Sequence, residues 1–244
     1  NAFNAYQPKF VEVPTDNGGL IPEELDKILE TTPNCKFIYV IPDFQNPTGR
    51  TWSMERRQKF MEVVNKHNLP VLEDNPYGEL RYEGTILPSL KSMDTKGLVM
   101  FLGTFSKIFC PGLRLGWIAA EHSLLSEFVK IKQSADLHTS NFDQGVADAY
   151  MEQYDLDEHV KEIVALYKHR RDLILESMEK YFPAGTEWTH PEGGLFLWLT
   201  FPEGVSARKV FNKCIEMKVA GVIGDAFYPN QKTDRSMRIN YSNM

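Results

Sequence analysis

The chain has 244 residues, of which 42% are hydrophobic and 25% charged, the balance of a globular protein with one large domain or two modest ones. A net charge of −6 gives no support to nucleic-acid binding, which needs a clustered basic face. No apolar run approaches the roughly 18–20 residues of a membrane-spanning helix, and Cys35, Cys110 and Cys214 are too scattered for a disulfide framework or a metal cluster.

The opening residues NAFNAYQPKF lack the basic and apolar regions of a signal peptide, so the sequence reads as cytoplasmic, with reduced thiols. It starts at Asn1 rather than Met, which suggests a piece of a longer chain. Residues 36–42 (KFIYVIP) form a β-branched and aromatic run expected to be a buried strand. Ser53 is placed to cap a helix running to about Asn68, with Met54, Phe60, Val63 and Val64 on its apolar stripe. Further strands are expected at 69–75 (LPVLEDN), 98–104 (LVMFLGT) and 114–120 (RLGWIAA). Strands alternating with helices imply an α/β fold, a mostly parallel sheet with helices on both faces.

Amphipathic helices are expected at 121–135, 141–154 and 157–181. The tail changes style, with strands at 194–202 and 237–241 around a helix at 206–218, a small α+β unit. The expected division is a large domain over residues 1–156 and a bridging helix with a small domain over 157–244.

Ligands of open α/β sheets settle beyond the carboxyl ends of the strands. The first strand is followed by Asp43-Phe44-Gln45-Asn46-Pro47-Thr48-Gly49, and the second by Glu73-Asp74-Asn75-Pro76-Tyr77-Gly78. The third is followed by Gly103-Thr104-Phe105-Ser106-Lys107, and then by Pro111-Gly112-Leu113-Arg114. Each residue alone has a commonplace reading as turn former, strand-end hydroxyl or surface charge. Together they suit a phosphorylated heteroaromatic aldehyde. A lysine amine forms a Schiff base, a buried carboxylate holds a pyridine nitrogen protonated, and an amide and a phenol bond a ring oxygen. Hydroxyls and an arginine fork hold a phosphate.

The segment GTFSKIFCPGLRLGW (residues 103–117) resembles the cofactor-lysine segment of fold-type I pyridoxal-phosphate aminotransferases. The likeness is strongest to the branch of 2-aminoadipate, kynurenine and aromatic-amino-acid aminotransferases. QNPTGR (45–50) and LEDNPYGELRY (72–82) are similar to that branch's other signature loops, and PEGGLFLW (191–198) and SMRINYS (236–242) extend the resemblance along the chain. The intervals fit too: 28 residues from Asn46 to Asp74, 33 to Lys107 and 7 more to Arg114.

The resemblance implies a pyridoxal 5'-phosphate enzyme that moves an amino group from an L-amino acid to a 2-oxo acid. Lys107 would be the Schiff-base lysine and proton carrier, and Asp74 the partner of the pyridinium nitrogen. Asn46 and Tyr77 would bond the phenolic oxygen, and Thr104, Ser106 and Arg114 the phosphate. Arg238, with Asn46 beside it, would hold the substrate carboxylate. The Gly193-Gly194 pair would let backbone come close near the substrate. The family is homodimeric, with active sites at the subunit interface. Two alternatives go with the resemblance: an aminotransferase-like effector domain of a transcription regulator, and a truncated inactive product whose missing upstream segment carries part of the phosphate site.

Overall fold

The structure is a computed structural model and describes residues 2–230 and 234–243. A short hairpin of β1 (Thr15–Asp16) and β2 (Gly19–Leu20) leads into α1 (Pro22–Thr31). Pro22 starts this helix where its missing N–H costs nothing, and Glu23 and Glu24 suit the positive end of its dipole.

The main sheet has the order β3-β4-β5-β6, from β3 (Ile38–Val40), β4 (Val71–Asp74), β5 (Val99–Thr104) and β6 (Gly116–Ala119). The first three strands are parallel and β6 runs antiparallel to β5. β3 is shorter than its apolar run and alternates. Ile38 and Val40 are buried, whereas Tyr39 is 45% exposed, because β3 closes one end of the strand order. The crossover between β3 and β4 is α2 (Met54–His67), capped as expected by Ser53, whose hydroxyl accepts the Arg56 amide at 3.2 Å.

One core lies between these strands and α1 and α2, joining Leu25, Leu29, Phe60, Val64, Val71 and Val99. Each fully buried side chain of this size contributes about 1.5–3 kcal/mol. Two further helices, α3 (His122–Ala135) and α4 (Asn141–Gln153), follow the sheet, and α3 buries none of its residues. The long α5 (Leu156–Tyr181) begins at Asp155, whose carboxylate accepts the amides of Asp157 and Glu158.

The tail forms an antiparallel sheet in the order β7-β8-β10-β9: β7 (Glu187–Trp188), β8 (Phe196–Thr200), β9 (Val222–Ile223) and β10 (Ser236–Asn240). Its core joins Leu197, Leu199, Met237 and Tyr241 to Met178 of α5 and to α6 (Ala207–Glu216). A third cluster connects the two sheets, with Ile41, Phe44, Tyr77, Leu80 and Ile108 against Leu195 and Phe196, and with Val160 and Val164 of α5 packed on it.

Polar contacts fasten the same junction. Arg57 is fully buried and pairs with Asp43 at 2.7 Å, while Arg81 bridges Asp43 and Glu192 at 3.4 and 3.0 Å. Arg171 of α5 donates to the Pro191 carbonyl at 2.8 Å and pairs with Glu83.

Candidate active site

The strand-end residues come together beside the second sheet. The loop after β3 staples itself: the Gly49 amide donates to the Gln45 carbonyl at 2.6 Å, and the Thr48 hydroxyl to Gln45 Oε1 at 2.7 Å. This holds Asn46 outward, and its Oδ1 accepts Arg238 Nη1 of β10 at 2.7 Å. Those two residues are 192 positions apart in sequence.

Arg238 sits in an aromatic cage, with its guanidinium carbon 4.1 Å from the Phe196 ring centroid and 5.1 Å from that of Phe227. Burial lowers its basicity, with the Tyr77 phenol opposing. Its Nε is buried with no partner among the described residues, so the fork has donor capacity left.

Tyr77 is buried edge-on to Phe196, at 5.8 Å between centroids. Burial pushes its phenol up to about 12, helped by the Asp74 charge and opposed by Arg238 and by a hydrogen bond with Asn46. Asp74 ends β4. Burial raises its carboxyl above the ordinary range, while Tyr39 opposes the rise by donating its hydroxyl to Oδ2 at 2.5 Å.

The segment after β5 is built differently. Thr104 Oγ1 donates to the Leu115 carbonyl at 3.1 Å and accepts the Ser106 amide at 3.1 Å, closing the turn that carries Ser106 and Lys107. Lys107 is half-buried, and no ion pair holds it among the described residues. Arg114 is exposed, adopts a left-handed backbone (φ 55°) and donates to the Pro111 carbonyl at 3.2 Å.

Thus Arg238 and Asn46 share a hydrogen bond, and the Tyr77 phenol responds to Asn46, Arg238 and Asp74 alike. Thr104, Ser106, Lys107 and Arg114 follow the adjoining strand with no hydrogen bond or ion pair to those residues among the described residues.

Gly193 and Gly194 do allow a close approach, but to the chain itself. A Cβ on Gly193 would lie 2.4 Å from the Leu80 carbonyl oxygen and from the Phe44 ring. Gly194, at φ 75°, donates its amide to that same carbonyl at 2.8 Å. The pair seats the second sheet on the first.

Sequence reasoning missed Tyr39 and Phe196, which it placed in strand cores. Alternation within residues 36–42 was the available signal for Tyr39, since a period of two sets it opposite Ile38 and Val40.

The family model for aminotransferase class I and II matches residues 1–244. The chain belongs to that family. Among curated aminotransferases, it is 42% identical to aromatic-amino-acid aminotransferase 1 of Thermococcus litoralis, over 99% of this chain and 59% of that one. It superposes on the crystal structure of Pyrococcus horikoshii kynurenine aminotransferase with a TM-score of 0.94 and 40% identity, covering 99% of this chain and 61% of that one. It is also 31% identical to an uncharacterised HTH-type transcriptional regulator of Bacillus subtilis, over 85% of this chain and 42% of the regulator. The chain therefore spans less than two thirds of the length of these aminotransferases. Among the described residues, no helix is long and apolar enough to cross a membrane.

Proposed function

We propose that the protein containing this chain is a pyridoxal-phosphate aminotransferase that moves an amino group from an L-amino acid to a 2-oxo acid. The observation that carries the reading is the Arg238–Asn46 hydrogen bond, which brings a carboxylate-binding fork against the Asn46–Tyr77–Asp74 group. Family membership and the aminotransferase relatives support it.

The donor set suits the ring end of the cofactor. Asp74 Oδ1 has no partner among the described residues and can pair with a protonated ring nitrogen. Tyr77 and Asn46 offer donors to a phenolic oxygen. Thr104, Ser106 and Arg114 would hold the phosphate, Ser106 through its hydroxyl and Arg114 after turning its exposed fork away from Pro111. When bound, pyridoxal phosphate supplies an aldehyde and an electron-withdrawing ring.

The chain's own residues do the rest. Lys107 is the residue that would hold the cofactor's aldehyde and, as a free amine, would carry the proton taken from the substrate Cα, a role worth on the order of 10²–10⁴ in rate. Arg238 would take the α-carboxylate in its fork, with Asn46 fixing the fork's angle, so that the Cα–H faces Lys107. Phe196 and Phe227 would keep water from that ion pair and strengthen it.

We also read residues 1–156 and 157–244 as the cofactor-binding and substrate-closing units, and the enzyme as a cytoplasmic homodimer acting in amino-acid metabolism. The free cysteines Cys35, Cys110 and Cys214 support a reducing location. The exposed apolar residues Ile131, Leu137, Phe142 and Tyr154 support a covering partner surface.

The test is Lys107→Ala in the full-length protein. Amino transfer to a 2-oxo acid should disappear, with the fold unchanged by circular dichroism. Retained transfer would overturn the assignment. The similarity to an HTH-type regulator favours a second reading, an effector-sensing domain. Tight amino-acid binding without turnover would select it.

A further inference from the structure

Among the described residues, Tyr39 is the one side chain that hydrogen-bonds Asp74, and it has no part in the proposed function. β3 and β4 are parallel, with Tyr39 opposite Leu72. Tyr39, Leu72 and Asp74 therefore project from the same face, and the phenol spans diagonally to the carboxylate two residues on. The ring itself is braced by Phe3, edge-on at 6.0 Å between centroids. Burial and the Asp74 carboxylate together hold the phenol well above its ordinary value, so it stays a donor at any working pH.

We propose that Tyr39 is a positioning residue for Asp74, its hydroxyl occupying Oδ2 so that the carboxylate is fixed in plane and Oδ1 alone is turned to a protonated heterocyclic nitrogen. The proposal rests on the functional reading for the identity of that nitrogen. It differs in making the Asp74 geometry a property of the protein before any ligand arrives. A carboxylate in a half-buried site with nothing bound to it rotates and takes up a proton. One charged-form hydrogen bond opposes both. The ionisable groups facing Asp74 are Tyr39 from β3 and Tyr77 from the turn after β4, whereas β5 presents Leu102 at the paired position. Among the described residues, Tyr39 is the one that donates a hydrogen bond to Asp74.

The experiment is a carboxyl-carbon NMR titration of the protein without cofactor, with the Asp74 signal identified by its loss in Asp74→Asn. Tyr39→Phe keeps the ring and removes the hydroxyl. It should move the Asp74 midpoint up by about one pH unit while the thermal melt stays in place. Phe3→Leu trims the bracing ring and keeps the hydroxyl, and should leave the midpoint where it is. An unchanged midpoint in Tyr39→Phe would overturn the proposal. So would an equal rise in Phe3→Leu, since packing alone would then be responsible. The titration needs no cofactor and no turnover. If Lys107→Ala leaves amino transfer intact while the Tyr39 effect holds, only the functional reading fails.

Discussion

The two halves of the candidate site differ in how far they are assembled. Asn46, Tyr77, Asp74 and Arg238 are buried or half-buried, with Arg238 hydrogen-bonded to Asn46 and Tyr39 to Asp74, and are backed by the Arg57–Asp43 and Arg171–Glu83 pairs. Ser106, Lys107 and Arg114 follow a turn closed by Thr104, with Arg114 exposed and spending a donor on a neighbouring carbonyl. The first half is a junction between two sheets, so its geometry is over-determined by packing that would exist without a ligand. The second half lies on a segment flanked by β6, where Trp117 is 46% exposed, and by α3, which buries nothing. On the proposed function, recognition of a ring and a carboxylate would therefore rest on the chain's own core, whereas the grip on a phosphate would depend on what settles against a looser surface.

That contrast can be broken most severely at Arg57. Arg57→Ala leaves buried Asp43 with only the longer Arg81 contact, at 3.4 Å, and urea unfolding should show a loss of about 3–5 kcal/mol. A loss under half of that would mean the junction is not what fixes the site. Arg238→Lys keeps the charge but loses the fork. On the proposed function, steady-state kinetics should show KM for the amino acid rising about tenfold or more, with the melt little changed. Gly193→Ala drives a methyl into Leu80 and Phe44 and should cost about 1–3 kcal/mol in the same unfolding assay, since backbone cannot yield there cheaply. By contrast, Arg114→Gln should change stability by no more than about 0.5 kcal/mol, as befits an exposed side chain, and any effect should fall on phosphate-group affinity instead.

The smallest effect concerns pH. Asp94 leads into β5; burial raises its carboxyl, but amide donors from Val99, Leu98 and Lys96 and the Lys91 ammonium outweigh this and hold it below the ordinary value. A depressed folded value gives stability that is present above the unfolded carboxylate value, about 3.9, and is lost as pH falls through the folded one. Asp94→Asn should flatten that acid limb in melts taken between about pH 5 and 2, and a limb of unchanged slope would count against the assignment.

Much of this was legible in the sequence because it is local. Ser53 and Ser206 announce helix starts and do cap them, and the β-rich runs at 36–42, 69–75 and 98–104 contain the parallel strands β3, β4 and β5. The strand-end rule then collects the candidate residues on one side of the sheet. What escaped is whatever depends on distant parts of the chain. Nothing near Arg57 or Asp43 says that they pair, and nothing near Gly193 says that Phe44 fills the space its missing side chain leaves. Pro22–Thr31 passed without being read as a helix, although Pro at its start and two acids in its first turn were usable signs. Arg114 was assigned by likeness to a motif, which carries no information on where an exposed side chain points.

On the proposed function, the junction of Asn46, Tyr77 and Asp74 holds the ring whose aldehyde Lys107 takes. The direct measurement is peptide mapping by mass spectrometry after the chain is mixed with pyridoxal phosphate and reduced with borohydride. Label should concentrate on Lys107 and be lost from it in Asp74→Asn, since the junction must hold the ring for the amine to reach it. Label spread evenly over the exposed lysines, or label on Lys107 indifferent to Asp74, would contradict it.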